Sequence, residues 1–259
     1  MKIGVFDSGL GGLVITKAFI NAMPEYDYFY YGDSAHLPYG DKTSGRILNY
    51  TLDAMRYMIA NDCKIIIIAC NTATSIALRY IQQRFIPSYA PDVKVLGVVI
   101  PTEEVAVEND SHSVGVIATS ATIRSHIYRA ELHKIVPDLN IEEIAAPELV
   151  PAIENNDFAT AQEFVREYSR SFIACDSLIL GCTHYPLLKN MFREALPKVR
   201  IVSQDELMSA KLKDYLLRHP EIENCLGRKS ERCFKVSALN THSQKVAANL
   251  FPDIPLVKA

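Results

Sequence analysis

The sequence predicts an α/β protein made of two doubly wound parallel sheets. Three observations carry that expectation. Short β-branched runs alternate with longer amphipathic stretches along the chain, the pattern of strand–helix–strand units. Several runs, such as IIII at 65–68 and LIL at 178–180, are apolar at every position, which suits strands covered on both faces. The pattern of the first half also recurs in the second.

In chain order, KIGVF (2–6), DYFYYG (27–32), KIIIIA (64–69) and VKVLGVV (93–99) read as strands. Between them GLVITKAFINAM (12–23), SGRILNYTLDAMRYMIA (44–60) and ATSIALRYIQQRF (73–85) carry apolar residues at helical spacing. The alternation resumes with HSVGVIA (112–118), LNIEEIA (139–145), DSLILG (176–181) and VRIVS (199–203) as strands. With the cysteines as anchors, Cys70 aligns with Cys182, and GVFDSG from Gly4 aligns with GVIATS from Gly115. The two landmarks agree in offset to within one residue, which argues for an internal repeat. The halves are read as 1–97 and 98–208. Residues 209–259 are expected to pack back onto the first half, giving one domain of 1–97 plus 209–259 and a second of 98–208.

A formal net charge of -3 in 259 residues gives no reason to expect nucleic acid or an anionic membrane as partner. The one basic cluster, RKSERCFK (228–235), is interrupted by Glu231 and reads as solvated surface. No apolar run approaches the roughly 20 residues needed to span a bilayer. Met1 and Lys2 lead directly into the first strand, leaving no room for a signal peptide or a regulatory extension, so a cytoplasmic location is expected. The six cysteines are too sparse for a disulfide scaffold and form no Cys-x-x-Cys pair, so neither disulfides nor zinc is expected.

Ligands of doubly wound sheets bind beyond the C-terminal ends of the strands. Asp7 and Ser8, Cys70 with Asn71 and Thr72, Thr119, and Cys182 with Thr183 and His184 all fall at predicted strand ends. Two facing sheets would gather them around one interdomain cleft. Both cysteines precede predicted helix N-termini, where backbone N–H groups and the helix dipole favour thiolate. Burial pushes the other way. Each thiol also has an auxiliary, Asp7 for Cys70 and His184 for Cys182. The repeat aligns Asp7 with Ala118 and His184 with Thr72, so the two auxiliaries differ in kind.

Other readings compete. FDSGLGGLV (6–14) imitates a dinucleotide-binding loop, with Asp33 placed like a ribose-binding acid. Val14 stands where the third glycine belongs, however, and Asp7 would oppose a pyrophosphate. A tight strand-to-helix turn accounts for the same glycines. CTHYP (182–186) imitates a cysteine hydrolase with His184 as base, which leaves Cys70 without a role. The plainest alternative is that both thiols are small buried hydrophobes, as expected for Cys63 and Cys175.

The words IGVFDSGLGGL (3–13), YYGDSAHLPYG (30–40), ACNTATS (69–75), ATSAT with RSHIY (118–128), PELVPAIE (147–154) and GCTHYPLL (181–188) together resemble the glutamate racemases. These are bacterial, cofactor-independent enzymes that make D-glutamate for peptidoglycan. The resemblance covers about the first 210 residues. Aspartate and related racemases share the cysteine words, whereas GDSAHLPYG and GVFDSGLGG belong more to the glutamate branch. The resemblance implies two flavodoxin-like domains related by a pseudo-twofold axis, commonly as a homodimer, and no cofactor. It implies Cys70 and Cys182 as paired acid–base thiols, assisted by Asp7, His184 and Glu154. Asp7, Ser8, Pro38, Tyr39, Gly40, Asn71, Thr72, Thr119, Thr122, Thr183 and His184 match positions that hold the substrate, L- or D-glutamate.

Some words depart from that pattern. In VVIPT (98–102), Ile100 and Thr102 stand where many members read Glu-Pro-Gly, and Ala146 stands where a cysteine is frequent. SQD (203–205) and SALN (237–240) replace glycine-containing words. These departures keep open an aspartate or related racemase, and a two-lobed amino-acid binding protein without catalysis.

Overall fold

The computed structural model describes residues 1–108 and 111–259. The first sheet is built from β1 (Lys2–Asp7), β2 (Tyr28–Gly32), β3 (Cys63–Ile68) and β4 (Lys94–Gly97). The second takes β5 (Ser113–Ala118), β6 (Asn140–Ala145), β7 (Ser177–Gly181) and β8 (Arg200–Val202). Two C-terminal strands, β9 (Arg232–Val236) and β10 (Leu256–Lys258), return to the first sheet. Strand order is β10-β9-β2-β1-β3-β4 in one sheet and β6-β5-β7-β8 in the other, and every pairing is parallel.

The shared order β2-β1-β3-β4 and β6-β5-β7-β8 carries the repeat into three dimensions, and the register agrees. Gly4 pairs with Ile66 in the first sheet, and Gly115 with Leu178 in the second. Phe6 with Ile68 likewise matches Ile117 with Leu180. Ile3, Val5, Ile65, Ile66 and Ile68 are fully buried, as are Val114, Val116, Leu178, Ile179 and Leu180. Helices on both faces produce that burial, and it explains why these strands are apolar throughout rather than alternating.

Two sequence readings differ from the structure. VKVLGVV does not run on as one strand, because β4 ends at Gly97 and helix Val99–Ala106 begins. A side chain at Gly97 would meet Thr74 Cγ2 at 2.5 Å, so the strand end presses against the neighbouring helix. Pro101 falls in the first turn of the new helix, where its missing N–H leaves no bond unmade. RKSERCFK is not wholly solvated surface. Its RCFK part lies in β9, where Phe234 is buried and packs edge-on against Tyr30 and Phe251. Arg232 stands over the Tyr28 ring and donates to the Pro24 and Tyr26 carbonyls.

Helix Val99–Ala106 also carries Glu103, whose side chain is fully buried. Among the described residues neither of its carboxyl oxygens has a hydrogen-bond partner. Burial first, and the nearby Glu131 second, push this carboxyl up to about 9.

Candidate active site

The C-terminal ends of β1, β3, β5 and β7 converge on one small cavity of ≈ 40 Å³. Both cysteines line it. Cys70 follows β3 and caps helix Asn71–Tyr80, its sulfur accepting the Ala73 N–H at 3.4 Å. The thiol donates to Ser8 Oγ at 3.3 Å. Burial, then the charge of Asp7, push Cys70 up to about 12, while Ser8 and the Ala73 N–H pull more weakly downward. The helix N-terminus therefore does not decide this thiol's proton affinity; loss of water does.

Cys182 follows β7 and has no comparable helix ahead of it, only a 3₁₀ turn over Tyr185–Leu188 and helix Lys189–Ala195. Its neighbour is His184, with Nδ1 3.8 Å from Cys182 Sγ. The other face of that ring, Nε2, meets Glu154 Oε1 at 2.6 Å. Burial pulls His184 down, but its bonds to Cys182 and Glu154 outweigh that and hold it well above the ordinary histidine value. Burial raises Glu154 in turn, and contacts with His184 and His242 more than reverse this, leaving it below the ordinary carboxylate range.

Ser8, Pro38, Tyr39, Gly40, Asn71, Thr72, Thr119, Thr183 and His184 also line the cavity. Asp7, Thr122 and Glu154 stand one layer behind. Asp7 is fully buried, accepting the Gly9 N–H at 3.0 Å and the Thr183 hydroxyl at 3.1 Å, so it ties the two halves together. Thr122 closes a triangle of hydroxyls, 3.2 Å from Thr72 and 3.0 Å from Thr119, which are themselves 2.9 Å apart. Two glycines are set by the same close approach. A Cβ on Gly11 would lie 2.6 Å from Thr183 Oγ1, and one on Gly40 2.9 Å from Thr119 Cβ. The glycine-rich turn after β1 thus accommodates the opposite half of the chain.

Sequence reasoning missed the residues that steer Asn71. Its Oδ1 accepts from the Tyr128 hydroxyl and from Gln204 Nε2, each at 2.7 Å, and its Nδ2 donates to Gln204 Oε1 at 3.0 Å. Gln204 belongs to the departing word SQD, and it also reaches Thr102 Oγ1 at 3.4 Å, another departure. Tyr39 was expected at the site, but its hydroxyl points away to Asp33 Oδ2 at 2.7 Å. Ser237 donates to Asp33 Oδ1 at 2.8 Å, so the departing word SALN braces the cavity turn. Ala146 is buried, with its carbonyl accepting from Tyr185, and Ile100 lies half exposed away from the cavity.

Among the described residues no lysine or arginine lines the cavity, and no cluster of three metal-ligating side chains occurs. Among the described residues no helix is long and apolar enough to cross a membrane.

A repeated α/β architecture with one cysteine from each half on a shared cavity is that of a two-lobed racemase. A model of the Asp/Glu/Hydantoin racemase family matches residues 15–208, and the chain belongs to that family. It is 38% identical over 238 residues to the glutamate racemase of Ruegeria pomeroyi, covering 86% of this chain and 87% of that one. Among solved structures, a glutamate racemase isoform of Bacillus anthracis superposes with a TM-score of 0.88 at 27% identity, over 100% of this chain and 96% of that one. The Francisella tularensis glutamate racemase, crystallised in complex with D-glutamate, gives 0.87 at 31% identity over 99% and 95% of the two chains.

Proposed function

We propose that the protein is a cofactor-independent glutamate racemase in which Cys70 and Cys182 exchange the α-proton across the two faces of the substrate. The observation that carries this reading is the pair of strand-end thiols on one cavity. The names of the relatives and the D-glutamate complex support the choice of substrate. Racemisation must take a proton from one side of Cα and return one to the other, so a matched thiol on each side spares the substrate from turning over. One thiol begins deprotonated, the other protonated, and the reverse reaction exchanges these states.

The auxiliaries divide the work. Cys70 holds its proton tightly and serves readily as acid; the ammonium of a bound amino acid offsets part of the Asp7 charge when Cys70 must act as base. On the other side His184, held protonated by Glu154, stabilises negative charge on the Cys182 sulfur. Positioned proton transfer contributes about 10²–10⁴-fold. The remainder comes from oriented donors in a water-poor cavity, where Ser8, Asn71, Thr72, Thr119 and Thr183 meet the substrate carboxylates without a charged partner. The same reading places the protein in the cytoplasm as a homodimer, supplying D-glutamate for peptidoglycan.

The test is optical. Purified protein incubated with L-glutamate should erase its circular dichroism signal, and deuterium from D₂O should enter Cα. L-Aspartate assayed in parallel separates the two racemase specificities. An unchanged signal with both amino acids, or full activity in Cys70→Ser or Cys182→Ser, would refute the proposal.

A further inference from the structure

The contacts behind Cys182 do not end at Glu154. Glu154 Oε1 faces His184, and its Oε2 lies 3.2 Å from His242 Nε2. His242 arrives from the other side of the cleft. It is the second residue of helix Thr241–Leu250, whose Val246, Ala247 and Leu250 pack into the core of the first sheet. The start of that helix is fixed by a reciprocal cap: Asn240 Oδ1 accepts the Ser243 N–H at 2.7 Å, and Ser243 Oγ accepts the Asn240 N–H at 3.0 Å. A carboxylate with one oxygen engaged can still rotate about its bond. A donor on the second oxygen fixes the plane in which the first meets its partner.

We propose that His242 is a positioning residue for proton transfer at Cys182: it donates from Nε2 to Glu154 Oε2, holding Oε1 on His184 and His184 against the sulfur. The inference rests on the two-thiol reading above. His242 is 37% exposed against 6% for His184, so its effect is modest, about fivefold in rate rather than several orders of magnitude.

The test uses the order of the two proton transfers, one at each thiol. A defect confined to the Cys182 side makes that transfer more rate-limiting and the transfer at Cys70 less so. The α-deuterium isotope effect on kcat/KM then rises for the enantiomer whose proton goes to Cys182 and falls for its mirror image. General loosening of the cleft slows both directions without splitting the two effects.

His242→Ala should lower kcat/KM about fivefold in both directions, with the two isotope effects moving apart. His242→Gln keeps an N–H donor at similar reach and should restore most of the rate and the native isotope effects. Unchanged kinetics in His242→Ala, isotope effects that move together, or failure of His242→Gln to rescue would overturn the inference. Cys70→Ser and Cys182→Ser, assayed alongside, separate the two levels. Activity surviving in either thiol variant defeats the two-thiol reading itself. Inactive thiol variants beside an unaffected His242→Ala defeat only the role of His242.

Discussion

Cys70 caps a ten-residue helix and has an anion, Asp7, behind it; Cys182 leads into a 3₁₀ turn and has a histidine at its side. The two sulfurs occupy matching ends of β3 and β7, strands in the same register against their neighbours. Backbone symmetry therefore reaches as far as the sulfur atoms and stops there. One side favours holding a proton on sulfur; the other places beside the sulfur a ring held well above the ordinary histidine value. On the two-thiol reading proposed above, a near-symmetric reaction does not need symmetric electrostatics, because each thiol is acid in one direction and base in the other. The difference teaches that matching strand ends can place two thiols alike while the residues around each differ in kind.

The largest effects test the symmetric part. Cys70→Ser and Cys182→Ser should each reduce turnover by about 10²–10⁴-fold while far-ultraviolet circular dichroism stays native. A large loss in only one of them would break the comparison. His184→Asn should lower kcat by about 10²-fold, since it removes the group beside Cys182 and strips Glu154 of its shorter bond. Its loss should be steepest where His184 carries its proton in the native protein, which a kcat profile against pH measures.

A third test carries the comparison to the buried carboxyls, because Asp7 is fully hydrogen-bonded and Glu103 is not. The Glu103 pKa is raised on folding from 4.5 to about 9, so the folded state holds a proton the unfolded chain releases. The destabilisation is absent below pH 4.5, grows as pH rises toward 9, and reaches about 3 kcal/mol at pH 7. Glu103→Leu should therefore be more stable than the native protein in urea titrations at pH 7, with the gain vanishing near pH 4.

The smallest effect concerns labelling. Iodoacetamide at pH 8 should modify Cys182 before Cys70, whose proton is held by burial and by Asp7, after exposed Cys225 has reacted. Asp7→Asn should narrow that gap, as read by peptide mass spectrometry.

The strands of both sheets were legible because parallel strands buried on two faces must be apolar at nearly every position. The repeat was legible because two cysteines gave it an anchor. The C-terminal segment was expected to pack back onto the first half, but that it does so through a strand, β9, was not legible. Its Arg232, Cys233 and Lys235 are only partly buried, and their charges masked the inward Phe234. Residues at strand ends could be picked out as site candidates from pattern alone. Tyr128 lies in a helix and Gln204 just beyond β8, so nothing local marks them; only the fold delivers them to Asn71. Glu154 entered through family resemblance, and its contact with His184 spans 30 residues that no periodicity connects.

The cavity, at ≈ 40 Å³, has room for little more than a water or two, against roughly 300 Å³ or more for an ordinary ligand pocket. Asp7 to Thr183 and Thr72 to Thr119 are buried stitches that join the two halves of the chain beside it. An amino acid held between the sulfurs needs more room than this, so the two halves have to part to admit it and part again to release its mirror image. Such a chamber works like an airlock, and turnover cannot outrun the rate at which it opens.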